Sequence, residues 1–454
     1  MNNKEIRDHL SQRKARYVTA AFVDLQGQLR GKTIRADKLL DALDSGIPFS
    51  PYSHMLDFGD HQLLPRGYLS NDIAVEDNIC VVIPEPRTLP FENKDSDLMF
   101  FVEFSPDTTG HEWDPRVAYR RAEAKLAALD LVAEQAFEYE FRIFTETMNT
   151  AREKGFQNLK LISETSTYGG IMHQGVWSDL FKELRDMAET LEVPIESMHW
   201  EVAAGLAEVA LCHRGGITAA DDAVLFKTHA KVSAQRHDTL MTFMARPFDD
   251  ADGQSGHVHI SLRNARGRPV FHDAKAPDGF GATMRHFIGG VQHYLPELLL
   301  MFAPNINSFK RFVPGIFTPI AANWGFDNRT CALRAIMGKP SAQRVECRVA
   351  GSDANPYLVL AAIQAAGAEG IEKEIEPSDP QEGSSYVRRR TLPQAQRFPG
   401  SFTEAIDRFV ASTFARNVFG DDFVEMYGGT RRAQASEFAR FVTDRERMRF
   451  LELA

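Results

Sequence analysis

The chain has 454 residues, 43% of them hydrophobic and 25% charged, more than one compact domain usually holds, so a smaller and a larger domain are expected. Lys and Arg total 52 against 62 Asp and Glu, and the resulting net charge of -10 disfavours a broad nucleic-acid-binding face. Cys80, Cys212, Cys331 and Cys347 show no C-x-x-C spacing, the polar N-terminus lacks an apolar signal core, and no run reaches the roughly 20 apolar residues of a membrane span. The expectation is a cytoplasmic protein with reduced thiols and neither a membrane nor a nucleic-acid partner.

In chain order, residues 17–24, 28–34, 79–83 and 99–104 read as short strands, the first two joined by a turn at Gln26-Gly27. Asp114-Pro115 then opens a helix, with Asp as N-cap and Pro at the first helical position, and Val117, Ala118, Ala122, Leu126 and Leu129 form an apolar stripe. A small β-rich domain over 1–108 and a larger domain over 109–454 follow from this change. Residues 176–191, 221–237 and 355–372 have helical periodicity, and 376–399, with its Pro, Gly, Ser and the run Arg388-Arg389-Arg390, is the most loop-like stretch.

Between the helices lie strands with one apolar and one charged face. Glu138, Glu140 and Arg142 share a face of the 138–144 strand, opposite Tyr139, Phe141 and Ile143. The same period-2 pattern recurs in His199/Glu201, in His257/His259/Ser261 and in Arg344/Glu346/Arg348. A polar strand face usually meets solvent, but several such faces rich in Glu, His and Arg suggest convergence on one sheet. Carboxylates with imidazole suit divalent ions such as Mg²⁺ or Mn²⁺, and arginines beside them suit phosphate or carboxylate. No Walker A or kinase Gly-rich sequence is present. A metal-dependent phosphoryl-transfer or ligase enzyme is the reading from spacing alone.

Six blocks occur in order: Phe137-Glu138-Tyr139-Glu140-Phe141; His199-Trp200-Glu201 with Glu208; Gly256-His257-Val258-His259 with Ser261; Asn307 through Lys310-Arg311-Phe312-Val313-Pro314-Gly315; Asn328-Arg329; and Arg344-Val345-Glu346-Cys347-Arg348 followed by Ala354-Asn355-Pro356. Together they resemble the signature blocks of the glutamine synthetase superfamily. The resemblance implies an α+β fold, with an N-terminal β-grasp domain and a larger catalytic domain whose curved antiparallel sheet is flanked by helices. It also implies a two-ring homo-oligomer, by default a dodecamer, with each site between neighbouring subunits. By position, Glu140, Glu201 and Glu208 would hold one metal, and Glu138, His257 and Glu346 the other. Arg329 and Arg344 would meet the transferring phosphoryl group and the nucleotide, with Arg334 close by, while His259 and Ser261 would line the ATP pocket. Arg311 and Arg348, with Gly253, would bind the glutamate. ATP and two or more Mg²⁺ or Mn²⁺ ions per subunit are therefore implied.

The departures narrow the expected reaction. Phe317 stands where glutamine synthetases carry the Glu that closes over the acyl phosphate, and Phe49-Ser50-Pro51-Tyr52-Ser53 lacks the aspartate of the family's ammonium-binding block. Phe317, Ile316, Tyr52 and Trp324 would instead make an apolar wall, which suits the carbon skeleton of an amine better than ammonium. Loss of both carboxylates favours an arylamine such as an aniline, already neutral at pH 7, over a short alkylamine, which needs a base before it can attack. Leu206 replaces a common Gln, and Asp252-Gly253 a common Asn-Gly. The expected activity is ATP-dependent ligation of L-glutamate to a hydrophobic primary amine through a γ-glutamyl phosphate. A true glutamine synthetase and a non-catalytic relative are the alternatives.

Overall fold

A computed structural model describes residues 1–63, 76–93, 97–166, 168–276, 278–315, 317–386 and 393–454. The run Arg388-Arg389-Arg390 and Ile316 lie outside the described residues.

The N-terminal lobe is a mixed sheet in the order Leu29–Arg35, Tyr17–Val23, Leu98–Phe104, Asn78–Val82 and Ile47–Phe49, with Arg87–Thr88 on Leu98–Phe104. Strand alternation sends its side chains to two places. Val18, Ala20, Phe22, Phe100 and Val102 meet Ile6, Leu10 and Leu39 of the helices Asn3–Gln12 and Ala36–Ser45 in a small core. Ala21, Val23, Met99 and Phe101 point the other way and join the main core of the molecule. The lobes are also tied by hydrogen bonds: Asn355 Nδ2 donates to the carbonyl of Asp24 at 3.0 Å, and Arg431 Nη2 to that of Leu25 at 3.3 Å.

The second sheet runs Trp324–Phe326, Leu333–Ile336, Arg344–Cys347, Gly256–Asn264, Leu131–Phe144, Leu206–Leu211 and Ile195–Trp200, with Arg214–Gly215 and Leu240–Thr242 also on Leu131–Phe144. The central strand is longer than its charged stretch because Ala133, Gln135 and Phe137 continue the buried alternation before Glu138. Helices Pro115–Ala127, Thr218–Arg236, Ala282–Phe302 and Pro356–Glu372 pack in the main core behind the apolar face. Asp114 caps the first as expected, accepting from the Arg116 amide at 2.9 Å.

Ala282–Phe302 is buried over most of its surface, with Arg285, His286, His293 and Glu297 on its less buried side, and contains Pro296. It lies against Pro356–Glu372 at Gly290 and Gly370, where a Cβ on Gly290 would stand 2.5 Å from Gly370 Cα. Two glycines therefore set how closely these helices approach. A buried ionic cluster joins the elements behind the sheet: Arg116 pairs with Asp221, which also accepts from the Tyr357 hydroxyl, and Arg116 Nε lies 3.1 Å from Glu103 Oε2.

Candidate active site

Strand register turns the period-2 pattern into a site. His257 sits opposite Glu138, His259 opposite Glu346, Glu346 opposite Arg334, and Glu208 opposite both Glu140 and His199. These neighbours share one face of the sheet, so residues up to about 200 positions apart become adjacent. A cleft of about 440 Å³ opens there, lined by all six carboxylate and imidazole positions expected to hold metal, and by Arg329, Arg334, Arg348, Gly253 and Phe317. A second cavity of about 330 Å³ shares Glu138 and Ser197 with it and is lined by His259, Ser261 and Arg344.

Glu346 is almost fully enclosed: Arg334 Nη1 donates to Oε2 at 2.8 Å, and Arg348 Nη1 to Oε1. Burial by itself would raise this carboxyl, but the charges of Arg348, His257 and His259 outweigh it and hold it down at about 2. For Glu138, burial is likewise outweighed, by His257 and His259, and its carboxyl falls well below the usual range. Glu208 goes the other way, to about 9, through burial and then the like charges of Glu140, Glu138 and Glu201.

The residues fit divalent metal. His259 Nε2 lies 3.0 Å from Glu138 Oε1, and His257 Nδ1 lies 3.5 Å from Glu138 Oε2 and 3.8 Å from Glu346 Oε1. Both ring nitrogens are buried and neither makes a hydrogen bond of good geometry among the described residues. His257 Nδ1 beside a carboxylate crowd, with Glu208 unable to ionise comfortably, matches ligands arranged round shared cations. Arg344 Nε donates to His259 Nδ1 at 3.0 Å, so the neutral His259 ring carries its proton on Nε2, toward Glu138.

A sequence profile described as "Glutamine synthetase, catalytic domain" matches residues 112–450. The chain belongs to the glutamine synthetase family. Among curated relatives, glutamate–isopropylamine ligase of a Pseudomonas species is 30% identical over 99% of this chain and 98% of its own. Gamma-glutamylethanolamide synthetase of Streptomyces coelicolor is 31% identical over 96% and 92%, and gamma-glutamylputrescine synthetase of Escherichia coli 29% over 95% and 90%. A solved structure of GmaS with ADP, 24% identical, aligns over 99% of both chains with a TM-score of 0.84, which shows a shared fold. Family members use ATP and divalent metals, so this is a glutamine synthetase-family ligase whose open sheet face carries the acidic and imidazole groups such ions need. Among the described residues, no helix is long and apolar enough to cross a membrane.

Within this glutamine synthetase frame, some expected residues stand elsewhere. Arg311 is fully buried, its Nη1 donating to the Val349 carbonyl at 2.8 Å and its Nη2 to the Arg348 carbonyl at 3.1 Å and Ser255 Oγ at 3.3 Å. It braces the backbone behind the cleft, whereas Arg348 and Arg329 line the cleft itself. Trp324 is also removed from the wall: it is 3% exposed, stacks on Phe280 with ring centroids 5.6 Å apart, and donates to the Ser378 carbonyl at 2.7 Å. As an edge-strand residue on the apolar face it fills core. Tyr52 packs against its own chain's core, outside its own cleft.

His199 Nε2 lies 3.0 Å from Glu201 Oε1 and 3.6 Å from Glu208 Oε1, so it joins the acidic group; its alternation with Glu201 was the available signal. Tyr168 and Val202 line the cleft beside Phe317, all three more than half exposed. No local pattern marks them. Phe317 has φ of 53°, an uncommon backbone for an aromatic residue, and Tyr386 donates to the carbonyl of the adjacent Thr318 at 3.1 Å.

Proposed function

We propose that this ligase joins the γ-carboxylate of L-glutamate to a hydrophobic primary amine, an aniline before a short alkylamine. One observation carries the amine assignment. In a cleft lined by carboxylates, Phe317 is 61% exposed in a left-handed backbone, and the exposed Tyr168 and Val202 line the same cleft. Exposed apolar groups on a polar cleft suit a carbon skeleton, each buried CH₂ contributing on the order of 0.8 kcal/mol. Relatives named for isopropylamine, ethanolamine and putrescine support an organic amine in general.

In this reading ATP enters past His259, Ser261 and Arg344, and glutamate and the amine enter from the opposite cleft. The γ-carboxylate oxygen attacks the terminal phosphorus of ATP, ADP leaves, and the amine nitrogen then displaces phosphate from the acyl carbon. Glu140, Glu201 and Glu208 would hold one divalent ion, and Glu138, His257 and Glu346 another; when bound, such ions neutralise phosphate charge. Arg329 and Arg334 meet the transferring group, and Arg348 the substrate carboxylate. Ring assembly, a dodecamer by resemblance, would present Tyr52 from a neighbouring subunit.

ADP release from ATP, glutamate and Mg²⁺ with aniline, isopropylamine or ammonia tests this. Aniline should be used best; ammonia activity equal to that of either amine would overturn the amine assignment.

A further inference from the structure

The cleft contains one carboxylate that the reaction above does not use. Asp252 lines the same cleft as Glu140 and Glu208, and in the ligase reading the acid substrate of that cleft is itself a dicarboxylate. An unneutralised aspartate at that place would repel it.

A cation stands behind this wall. Arg142 is on the charged face of the central strand, two residues beyond Glu140, yet it is 0% exposed. Its Nε reaches the Ala204 carbonyl only at 3.4 Å, and its guanidinium lies 5.5 Å from the Phe248 ring centroid. Nη1 and Nη2 are buried without a hydrogen-bond partner among the described residues, although Glu140 and Asp252 are the carboxylates whose charge reaches it. Glu140 Oε2 already accepts from the Ser255 amide at 2.6 Å, which holds that side chain in place. A guanidinium with two unused faces in a dry place is costly unless another state of the protein completes it.

The chain around Asp252 allows that completion. Arg246 secures the preceding turn by donating to the carbonyls of Phe248 at 3.2 Å and Asp249 at 2.7 Å. Gln254 secures the other side through the Thr242 and Met244 carbonyls at 3.0 and 2.7 Å. Between these anchors Asp252 remains half-buried, and at Gly253 a Cβ would meet Arg311 Cγ at 2.4 Å, so only glycine packs there against the buried arginine.

We infer that Arg142 is a positioning residue for the acid substrate: with glutamate bound, its free Nη groups take the Asp252 carboxylate and hold the Asp252-Gly253 turn as a neutral wall of the acid subsite. This rests on the ligase reading.

Arg142→Met, Arg142→Lys, Asp252→Asn and the Arg142→Met/Asp252→Asn double variant test it, with KM and kcat measured separately for glutamate and ATP. Arg142→Met should raise the glutamate KM about tenfold, the order expected for a lost charge-assisted pair, and leave the ATP KM within about twofold. Arg142→Lys should recover part of the loss. The double variant should be no worse than Arg142→Met, because a neutral amide at position 252 no longer needs the cation. An unchanged glutamate KM, equal losses for glutamate and ATP, or multiplying effects in the double variant would overturn the inference alone. A wild-type protein without glutamate-dependent ADP release overturns the ligase reading and this inference with it.

Discussion

His257 stands directly across an antiparallel strand pair from Glu138, its Nδ1 3.5 Å from the carboxylate Oε2. The same Glu138 lies 3.0 Å from His259 Nε2 and borders both cavities, so one carboxylate is common to the two ends of the site. Its replacement should therefore disturb both halves of the reaction.

Glu138→Gln keeps the shape and removes the charge. Divalent-metal affinity, measured by Mn²⁺ titration, should fall at least about tenfold, with a comparable or larger loss of ADP release. Metal binding and turnover both within a factor of about two of wild type would place the ions elsewhere.

Phe317→Glu places a carboxylate at the apolar mouth. The kcat/KM for hydrophobic amines should drop by roughly tenfold or more, as expected for about 1.4 kcal/mol of lost burial and added repulsion. Amine preference that does not change would mean that residue 317 is outside the amine path.

Asp221→Asn addresses the fold behind the site. Asp221 accepts from both Arg116 and Tyr357, and Arg116 is 1% exposed. The substitution leaves a buried guanidinium short of charge, a loss of about 3 kcal/mol by comparison with other broken buried pairs. Denaturant unfolding should show it, while a shift below about 0.5 kcal/mol would deny the cluster a structural role.

His54 provides a pH dependence. It is fully buried between Phe22 and Phe104, its ring centroid 5.7 and 5.2 Å from theirs, and burial followed by the Arg30 charge depresses its pKa to about 3. The native state thus resists a proton that the unfolded chain accepts near 6.5, so the stabilising contribution is complete above pH 6.5 and is lost as pH falls towards 3. At pH 4.5 the loss from this group alone should be roughly 2–3 kcal/mol, and His54→Leu should remove that part of the slope. Identical acid slopes for the two proteins would contradict the assignment.

Much of the catalytic face was legible in single strands. Glu138 and Glu140 alternate with Tyr139 and Phe141, and His257 and His259 with Val258, because a strand sends successive side chains to opposite faces. That rule needs only local chain. The Asp114 cap and the Pro356–Glu372 helix were legible for the same reason. Helix Ala282–Phe302 was not, since Gly289, Gly290 and Pro296 interrupt its local helix signal and tertiary packing decides it.

By itself the sequence determined the chemical inventory: carboxylates, imidazoles and arginines on period-2 faces, and Phe317 in place of an acid. Tertiary structure decided which of these meet. It set His257 against Glu138 and His259 against Glu346, drew in Tyr168, buried Arg311 and Trp324, and enclosed Arg142. Cross-strand register and burial depend on partners far away in the chain, so no local pattern can state them.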